Sequence, residues 1–434
     1  MSFDDNGQST EKGEHTNGRR RPLSRRAVLA TGAVGTSLSL AGCLGGLTGG
    51  GGGGAIKMGL LADRSGSIST YGIPMTSSAE LWQSEVNDNG GLLGRDVELI
   101  KPDPQSDNQQ YQNLARKLIL EDEVDVLVGG ITSASREAIR PIIDDNKQLY
   151  FYPALYEGGI CDEYVYMTGP TPTQQLKPLV EHMVEEFGGN VYTLAADYNF
   201  GQISALWAKR YVEENGGSIV GEEFIPLSVA DFGSTINRVQ DEDPDWIMSL
   251  LVGTNHVSYF KQAESTGLQK PMASTVQIGA SYEHRTLSPP TLTNMYSAWN
   301  YLEELPTDRN QEFVSRFREQ FPDTQYINQH AESTYVACLL YQAAVEQAET
   351  TEQRAVNDAL ESGISVQAPQ GDTAVDPATH HLNHNITLTR VTEDHSLEFL
   401  GTTENVQPSW LQQRCSLGSE STWDDPTSEF FQPN

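Results

Sequence analysis

The chain has 434 residues, and its 28 Lys and Arg stand against 59 Asp and Glu, for a formal net charge of −31. That length favours two domains over one compact core, and a hydrophobic content of 37 % excludes wholesale disorder. So acidic a balance argues against a nucleic-acid partner and against broad contact with anionic lipid. The acids are scattered rather than run together, a composition that fits a halophile, since high salt screens self-repulsion.

The N-terminus reads as an export signal. Arg19, Arg20 and Arg21 open a basic stretch, Ser24-Arg25-Arg26-Ala27-Val28-Leu29 closes it, and residues 27–41 form a mildly apolar run broken by glycine and serine. The run is too short and too weakly apolar to span a bilayer, and the paired arginines point to the twin-arginine route for folded cargo. Leu40-Ala41-Gly42-Cys43 resembles a lipobox, which makes Cys43 the expected lipidated mature N-terminus; an ordinary cleavage site is the alternative. The six-glycine run Gly49 to Gly54 then reads as a flexible tether. The expected organisation is a signal over 1–42, a tether over 43–54 and a folded body beyond. The body is placed on the extracellular face of the membrane.

Short β-type runs then alternate with helical patterns. Ile56 to Ala62 predicts a strand, Met75 to Asn87 a helix ended by Asn89-Gly90-Gly91, Val97 to Ile100 a strand and Tyr111 to Leu120 a helix. Val124 to Val128 predicts a strand closing on Gly129-Gly130, Ser133 to Ile143 a helix and Leu149 to Tyr152 a strand. A second series follows: helix 174–187, strand 191–195, helix 201–215, strand 218–224, helix 232–241, strand 246–250 and helix 256–267. The clearest long helix, Glu332 to Ala348, comes after both series, which suggests a chain returning to a lobe it had left. This pattern predicts an α/β protein with two doubly wound, Rossmann-like lobes of parallel sheet. Cys338 lies in an apolar helical stretch and is expected as a buried free thiol, whereas Cys161 and Cys415 are candidates for a disulfide. His380, His381 and His384 lack metal-site spacing and are expected at the surface, and Asn385-Ile386-Thr387 fits a glycosylation acceptor.

Ligands of open α/β sheets bind beyond the carboxyl ends of the strands, which directs attention to residues 63–71, 129–135, 152–159, 197–201 and 252–256. These loops hold no nucleophile elbow, phosphate loop or zinc helix, so no catalytic residue, metal or cofactor is expected and an enzyme such as an amidase is the weakest option. Gly129-Gly130-Ile131-Thr132-Ser133 leads into a helix, offering backbone N–H groups and the Ser133 hydroxyl to a carbonyl or carboxylate; capping by Thr132 or Ser133 is the commoner role of such residues. Tyr152, Tyr156 and Tyr198 sit on three of the loops, where each supplies an apolar wall and one hydroxyl. Glu157 and Asp197 are the only acids among the strongest of these segments, and their scarcity favours a small neutral, amide-like solute over an α-amino acid.

Several segments together resemble the solute-binding proteins of ABC importers, in the urea and short-chain amide branch of the branched-chain amino acid group. They are Ser133-Ala134-Ser135-Arg136, Phe151-Tyr152-Pro153-Ala154-Leu155-Tyr156-Glu157-Gly158, residues 168–175, Asp197-Tyr198, residues 297–301, and Ala368-Pro369-Gln370-Gly371 with His380-His381-Leu382. The resemblance implies a type I periplasmic binding-protein fold with three interlobe crossovers. Lobe I is then 55–172 with 299–362, lobe II is 173–298 with 363–405, and 406–434 is a C-terminal tail. It implies that Ser133, Tyr152 and Tyr198 line the ligand pocket, with Thr132, Ala154, Tyr156 and Thr254 as further candidates. The implied partners are a urea, short-chain amide or neutral amino acid solute, an ABC permease, and the membrane through Cys43. A branched-chain amino acid importer and a ligand sensor of the same fold remain as alternatives. The chain departs from the group at Ile131, often an aromatic, at Ala154, where a hydroxyl residue can occur, and at Asn199-Phe200-Gly201-Gln202.

Overall fold

The computed structural model describes residues 54–253 and 255–412, together with 415 and 417. The signal, lipobox and most of the tether lie outside these residues, as does Thr254. The first sheet contains β1 (Ile56–Leu61), β2 (Val97–Ile100), β3 (Val126–Gly129), β4 (Tyr150–Tyr152) and β5 (Val165–Met167), all parallel, in the order β2-β1-β3-β4-β5. Its central strands are buried along nearly their whole length, because helices cover both faces, and they therefore read as unbroken apolar runs. The intervening helices are α1 (Ser69–Asp88), α2 (Asn108–Leu120) and α3 (Ser133–Asn146). The Asp107 side chain caps α2 by accepting from Gln110 N, and Thr132 caps α3 by accepting from Ser135 N.

The chain then crosses into α4 (Pro172–Phe187), opened by a capping box of Thr171 and Gln174. It continues through β6 (Asn190–Ala196), α5 (Asn199–Glu214), β7 (Ser218–Ile225), α6 (Gly233–Glu242), β8 (Trp246–Leu250), α7 (Asn255–Ser265), β9 (Met272–Ser274), α8 (Glu283–Thr286) and β10 (Met295–Trp299). A second crossing leads to α9 (Asp308–Gln320), α10 (Gln329–Ala348) and α11 (Gln353–Leu360), with α10 packed on α1 beside β3 and β4. The long helix thus does return to the first lobe. After the small hairpin β11 (Ser365–Ala368) and β12 (Gly371–Ala374), the chain crosses again, and β13 (His384–Val391) and β14 (Leu397–Val406) extend the second sheet to β14-β13-β10-β9-β8-β6-β7. α12 (Ser409–Gln412) follows.

The three passes are bonded to one another where they run between the lobes. Gln175 Nε2 donates to Ala298 O at 2.7 Å, Gln174 Nε2 to Leu382 O and Val406 O at 2.9 Å each, and Met167 N to His380 O at 2.9 Å. This is the doubly wound, two-lobed fold expected from the alternation.

Three expectations are corrected or completed. His380, His381 and His384 are fully buried at the third crossing rather than on the surface. The Tyr166 ring stacks on His380 at 4.2 Å and the Tyr156 hydroxyl bonds His381 Nε2. Asn385 lies in β13, where its Nδ2 donates to Gln370 O and its Oδ1 accepts from Asn405 N. The segment just past residue 405 does not trail away. Trp410 packs against Trp207 of α5 at 4.7 Å, and Cys415 forms a disulfide with Cys161. Cys338 is buried and free.

Candidate solute site between the lobes

The loops at the carboxyl ends of the two sheets meet at a cavity of about 390 Å³. Its walls are Ile131 and Leu155 from the first lobe, and Phe200, Val252, Val276 and Ala280 from the second. Its polar lining is Tyr71, Thr132, Ser133, Tyr198 and His330. An apolar wall with few polar groups is the usual composition of small-molecule sites.

The polar corner is built from the turn after β3. Gly129 and Gly130 both have positive φ, 129° and 84°, and a Cβ on Gly130 would stand 2.7 Å from the Tyr150 hydroxyl. The turn therefore needs glycine to lie flat on the tyrosines beneath it. Those tyrosines brace it: the Tyr150 hydroxyl donates to Gly129 O at 2.8 Å and the Tyr152 hydroxyl to Ile131 O at 2.7 Å. Thr132 both caps α3 and lines the cavity, with its oxygen accepting from Ser135 N at 3.1 Å.

Ser133 opens the first turn of α3. Its Oγ donates to Glu157 Oε2 at 2.5 Å, and Glu157 Oε1 accepts from Arg136 Nη2 at 2.7 Å. Arg136 is 2 % exposed, lies over the Tyr152 and Tyr156 rings at 5.1 and 5.0 Å, and donates from Nε to Glu137. Burial opposes its charge, but the Glu157 and Glu137 carboxylates outweigh burial and keep the guanidinium firmly cationic. Glu157 also reaches the other lobe, since its backbone carbonyl accepts from Trp207 Nε1 at 2.9 Å.

Of the residues singled out in the sequence, Thr132, Ser133 and Tyr198 line the cavity. Tyr152, Ala154 and Tyr156 are fully buried behind it and are not part of its lining. Thr254 lies outside the described residues. The sequence reading missed His330, Val276 and Ala280. His330 stands in the first turn of α10, whose true cap is Asn328, its side chain accepting from Ala331 N at 2.8 Å. An Asn preceding the long apolar helix is the signal that places this residue at a helix start facing the cleft. Burial pushes His330 down to about 3, so it is a neutral imidazole, and its Nδ1 has no hydrogen-bond partner among the described residues.

Two α/β lobes joined by three bonded crossings, with a partly apolar cavity in their cleft, define a binding protein of the clamp type. The profile of the periplasmic binding protein family matches residues 55–396, and the chain belongs to that family. It is 22 % identical over 345 residues to a Leu/Ile/Val-binding protein homolog 6 of Brucella melitensis, a match covering 77 % of this chain and 87 % of the relative. Among solved structures, it is similar to a solute-binding protein of an ABC transporter from Rhodopseudomonas palustris in complex with 3,4-dihydroxybenzoic acid. That match has a TM-score of 0.72 and 21 % identity, and covers 82 % of this chain and 99 % of the other. It is also similar to a branched-chain amino acid transporter substrate-binding protein from Streptococcus pneumoniae in complex with isoleucine, with a TM-score of 0.71, 19 % identity, and coverage of 82 % and 100 %.

Proposed function

We propose that this protein is the solute-binding component of an ABC importer, working outside the cell membrane, and that it captures a small amide with an apolar body. The observation that carries the ligand class is the 2.5 Å bond from Ser133 Oγ to Glu157. With its proton committed to that carboxylate, the Ser133 oxygen presents only lone pairs to the cavity, while the free N–H groups of the first turn of α3 and the Thr132 hydroxyl offer donors. A carboxamide matches both halves, since its carbonyl accepts and its NH₂ donates. An α-amino acid is less well matched, because none of the described lining residues is an acid for its ammonium. Urea would fill the polar corner alone, so the apolar walls favour a short-chain or aromatic amide over urea within the amide class.

A second reading, a small carboxylate, draws support from the helix N-terminus at Ser133 and from neighbours solved with benzoate and 4-hydroxybenzoate. Against it stand the acceptor character of Ser133 and the uncharged state of His330. In this reading Ser133, Thr132 and Tyr198 touch the solute, and Tyr152, Ala154 and Tyr156 support them from behind. Solute binding stabilises the closed clamp, the form a permease would recognise.

Thermal melts in molar salt with acetamide, butyramide, benzamide, low-millimolar urea, benzoate and isoleucine test the assignment. A bound solute at about 100 times its Kd stabilises by about 2.7 kcal/mol. Stabilisation by butyramide or benzamide above the other solutes is the expected result, and stabilisation by isoleucine alone would move the protein to the amino acid class. Export by the twin-arginine route and anchoring at Cys43 belong to the same proposal. A Cys43→Ser protein should leave the membrane fraction, and retention there would count against the anchor.

A further inference from the structure

Glu332, on α10, is fully buried at the place where the three crossings converge. From the first crossing, Thr168 Oγ1 donates to the carbonyl of the next residue, Ser333, at 3.0 Å. From the second, Tyr301 lies within electrostatic reach of the carboxyl, and its buried hydroxyl has no hydrogen-bond partner among the described residues. Ahead of the third, Gln370 N and Nε2 donate to Glu332 Oε1 and Oε2 at 3.4 Å each. Gln370 is itself held by β13: its Oε1 accepts from His384 Nδ1 at 2.9 Å and its carbonyl from Asn385 Nδ2 at 3.2 Å. The carboxyl thus belongs to a helix of the first lobe and its donors are fixed to a strand of the second. The contact spans the hinge.

These bonds are long for a charged group, since a carboxylate draws N–H donors to about 2.7–2.9 Å. The Ser333 hydroxyl, at 3.5 Å, adds little. No cation pairs with Glu332 among the described residues, and the titratable groups around it cannot supply one. Tyr301 is the titratable group on the second crossing, residues 168–171 of the first carry none, and burial holds His384 and, on the same helix, His330 neutral. An unpaired carboxyl in such a place is stable as the neutral acid, and burial raises it to about 8.

We propose that Glu332 is a proton-linked latch of the hinge: the crossings pack around its protonated carboxyl when the lobes close on a solute, and the carboxyl returns that proton to water when they part. The proposal rests on the clamp reading above and not on the amide head group. Closing then takes up a proton between the ordinary glutamate value of 4.5 and about 8, so solute affinity falls as pH rises through that window.

Calorimetric titration with butyramide, benzoate and isoleucine in molar salt, at pH 7 and pH 8, tests it. Running each titration in phosphate and in Tris counts the protons, because the two buffers differ in ionisation heat. The unmodified protein should take up close to one proton at pH 7 and bind about fivefold more weakly at pH 8. Both pH values lie above the ordinary histidine range, which keeps the buried histidines out of the count. Glu332→Gln keeps the shape and cannot ionise, so it should take up none and bind equally at both. Glu332→Leu serves the same comparison if the glutamine variant does not fold by circular dichroism. Asp144→Asn should behave as the unmodified protein, because that raised carboxyl faces Asp162 and Arg140 within the first lobe. Equal proton uptake in Glu332→Gln and the unmodified protein, no uptake in either, or its loss in Asp144→Asn would overturn the latch. Proton-linked binding of benzoate or isoleucine with butyramide silent would leave the latch standing and remove the amide reading. If none of the three binds, the amide reading falls and small-angle scattering of the solute-free protein decides on the latch. A radius of gyration that rises from pH 6 to pH 9 in the unmodified protein and not in Glu332→Gln would support it, and equal radii would overturn it.

Discussion

In the proposed amide site, one hydrogen bond at Ser133 sets what the cavity can recognise. The sequence Gly-Gly-Ile-Thr-Ser before a helix marks the position as a candidate, and Thr132 performs the capping that such residues usually perform, which leaves Ser133 for another partner. What no local pattern discloses is that this partner is Glu157, 24 residues on. Long-range pairing of a hydroxyl with a buried carboxylate depends on how two loops fold over one another. The same holds for Tyr152, whose hydroxyl faces the turn beneath the cavity and not the cavity itself. Removal of the acceptor in Ser133→Ala should weaken amide binding by about 1–2 kcal/mol, roughly 5- to 30-fold, and lower the melting temperature as well, because buried Glu157 loses a donor. Tyr152→Phe should cost about 1 kcal/mol of stability with the larger part of the affinity retained. Glu157→Gln breaks a buried ion pair whose cation keeps only Glu137, and a loss of about 3 kcal/mol is expected in denaturant melts.

Among the elements, most of the alternation up to α7 was legible because parallel strands covered on both faces are apolar throughout and are bounded by clear caps. β5 and β9 to β14 were not. β14 is an edge strand, half-exposed or more along its length, and its sequence Leu-Glu-Phe-Leu-Gly-Thr-Thr-Glu-Asn-Val has no buried run to betray it. The histidines of the third crossing were misplaced for a related reason: polar residues in an irregular segment look exposed, yet this segment is threaded between the lobes. Their burial has a pH consequence. His330, His380 and His384 are pushed down to about 3 and His381 to about 4, all by burial, so each is neutral when folded and gains a proton on unfolding below its ordinary value. Stability is therefore lost as pH falls from 6.5 toward 4. Glu332 on α10 runs the other way. Burial raises it to about 8, so it releases a proton on unfolding between about 4.5 and 8, and stability declines as pH rises through that window. Asp144, raised to about 7 by burial and by Asp162 beside it, adds the same sign. Melts in molar salt should peak near pH 6.5 and decline toward 8, and Glu332→Gln should flatten that decline; an equal decline in the variant would exclude Glu332 as its source.

At the scale of the whole molecule, the disulfide, the three bonded crossings and the acid-rich surface act together. Cys161 follows the loop that carries Glu157, while Cys415 follows the helix whose Trp410 packs on Trp207, so the bridge ties the first lobe to the second through a loop closed over 254 residues. Loss of the bridge in Cys161→Ser with Cys415→Ser should cost about 2–4 kcal/mol, read as a lower melting temperature under oxidising conditions. The clamp architecture was readable from the order of strands and helices, because a long apolar helix after two complete α/β series has few places to go. The solute was less readable, since the cavity gathers residues as distant as Tyr71 and His330 and its proposed selectivity rests on the direction of one proton. A matched pair of solutes isolates that proton. Calorimetric titration with butyramide and with butyrate, identical in body and different only in head group, should give butyramide at least roughly tenfold tighter, about 1.4 kcal/mol. Tighter binding of butyrate would mean that Ser133 does not act as an acceptor and would contradict the amide assignment.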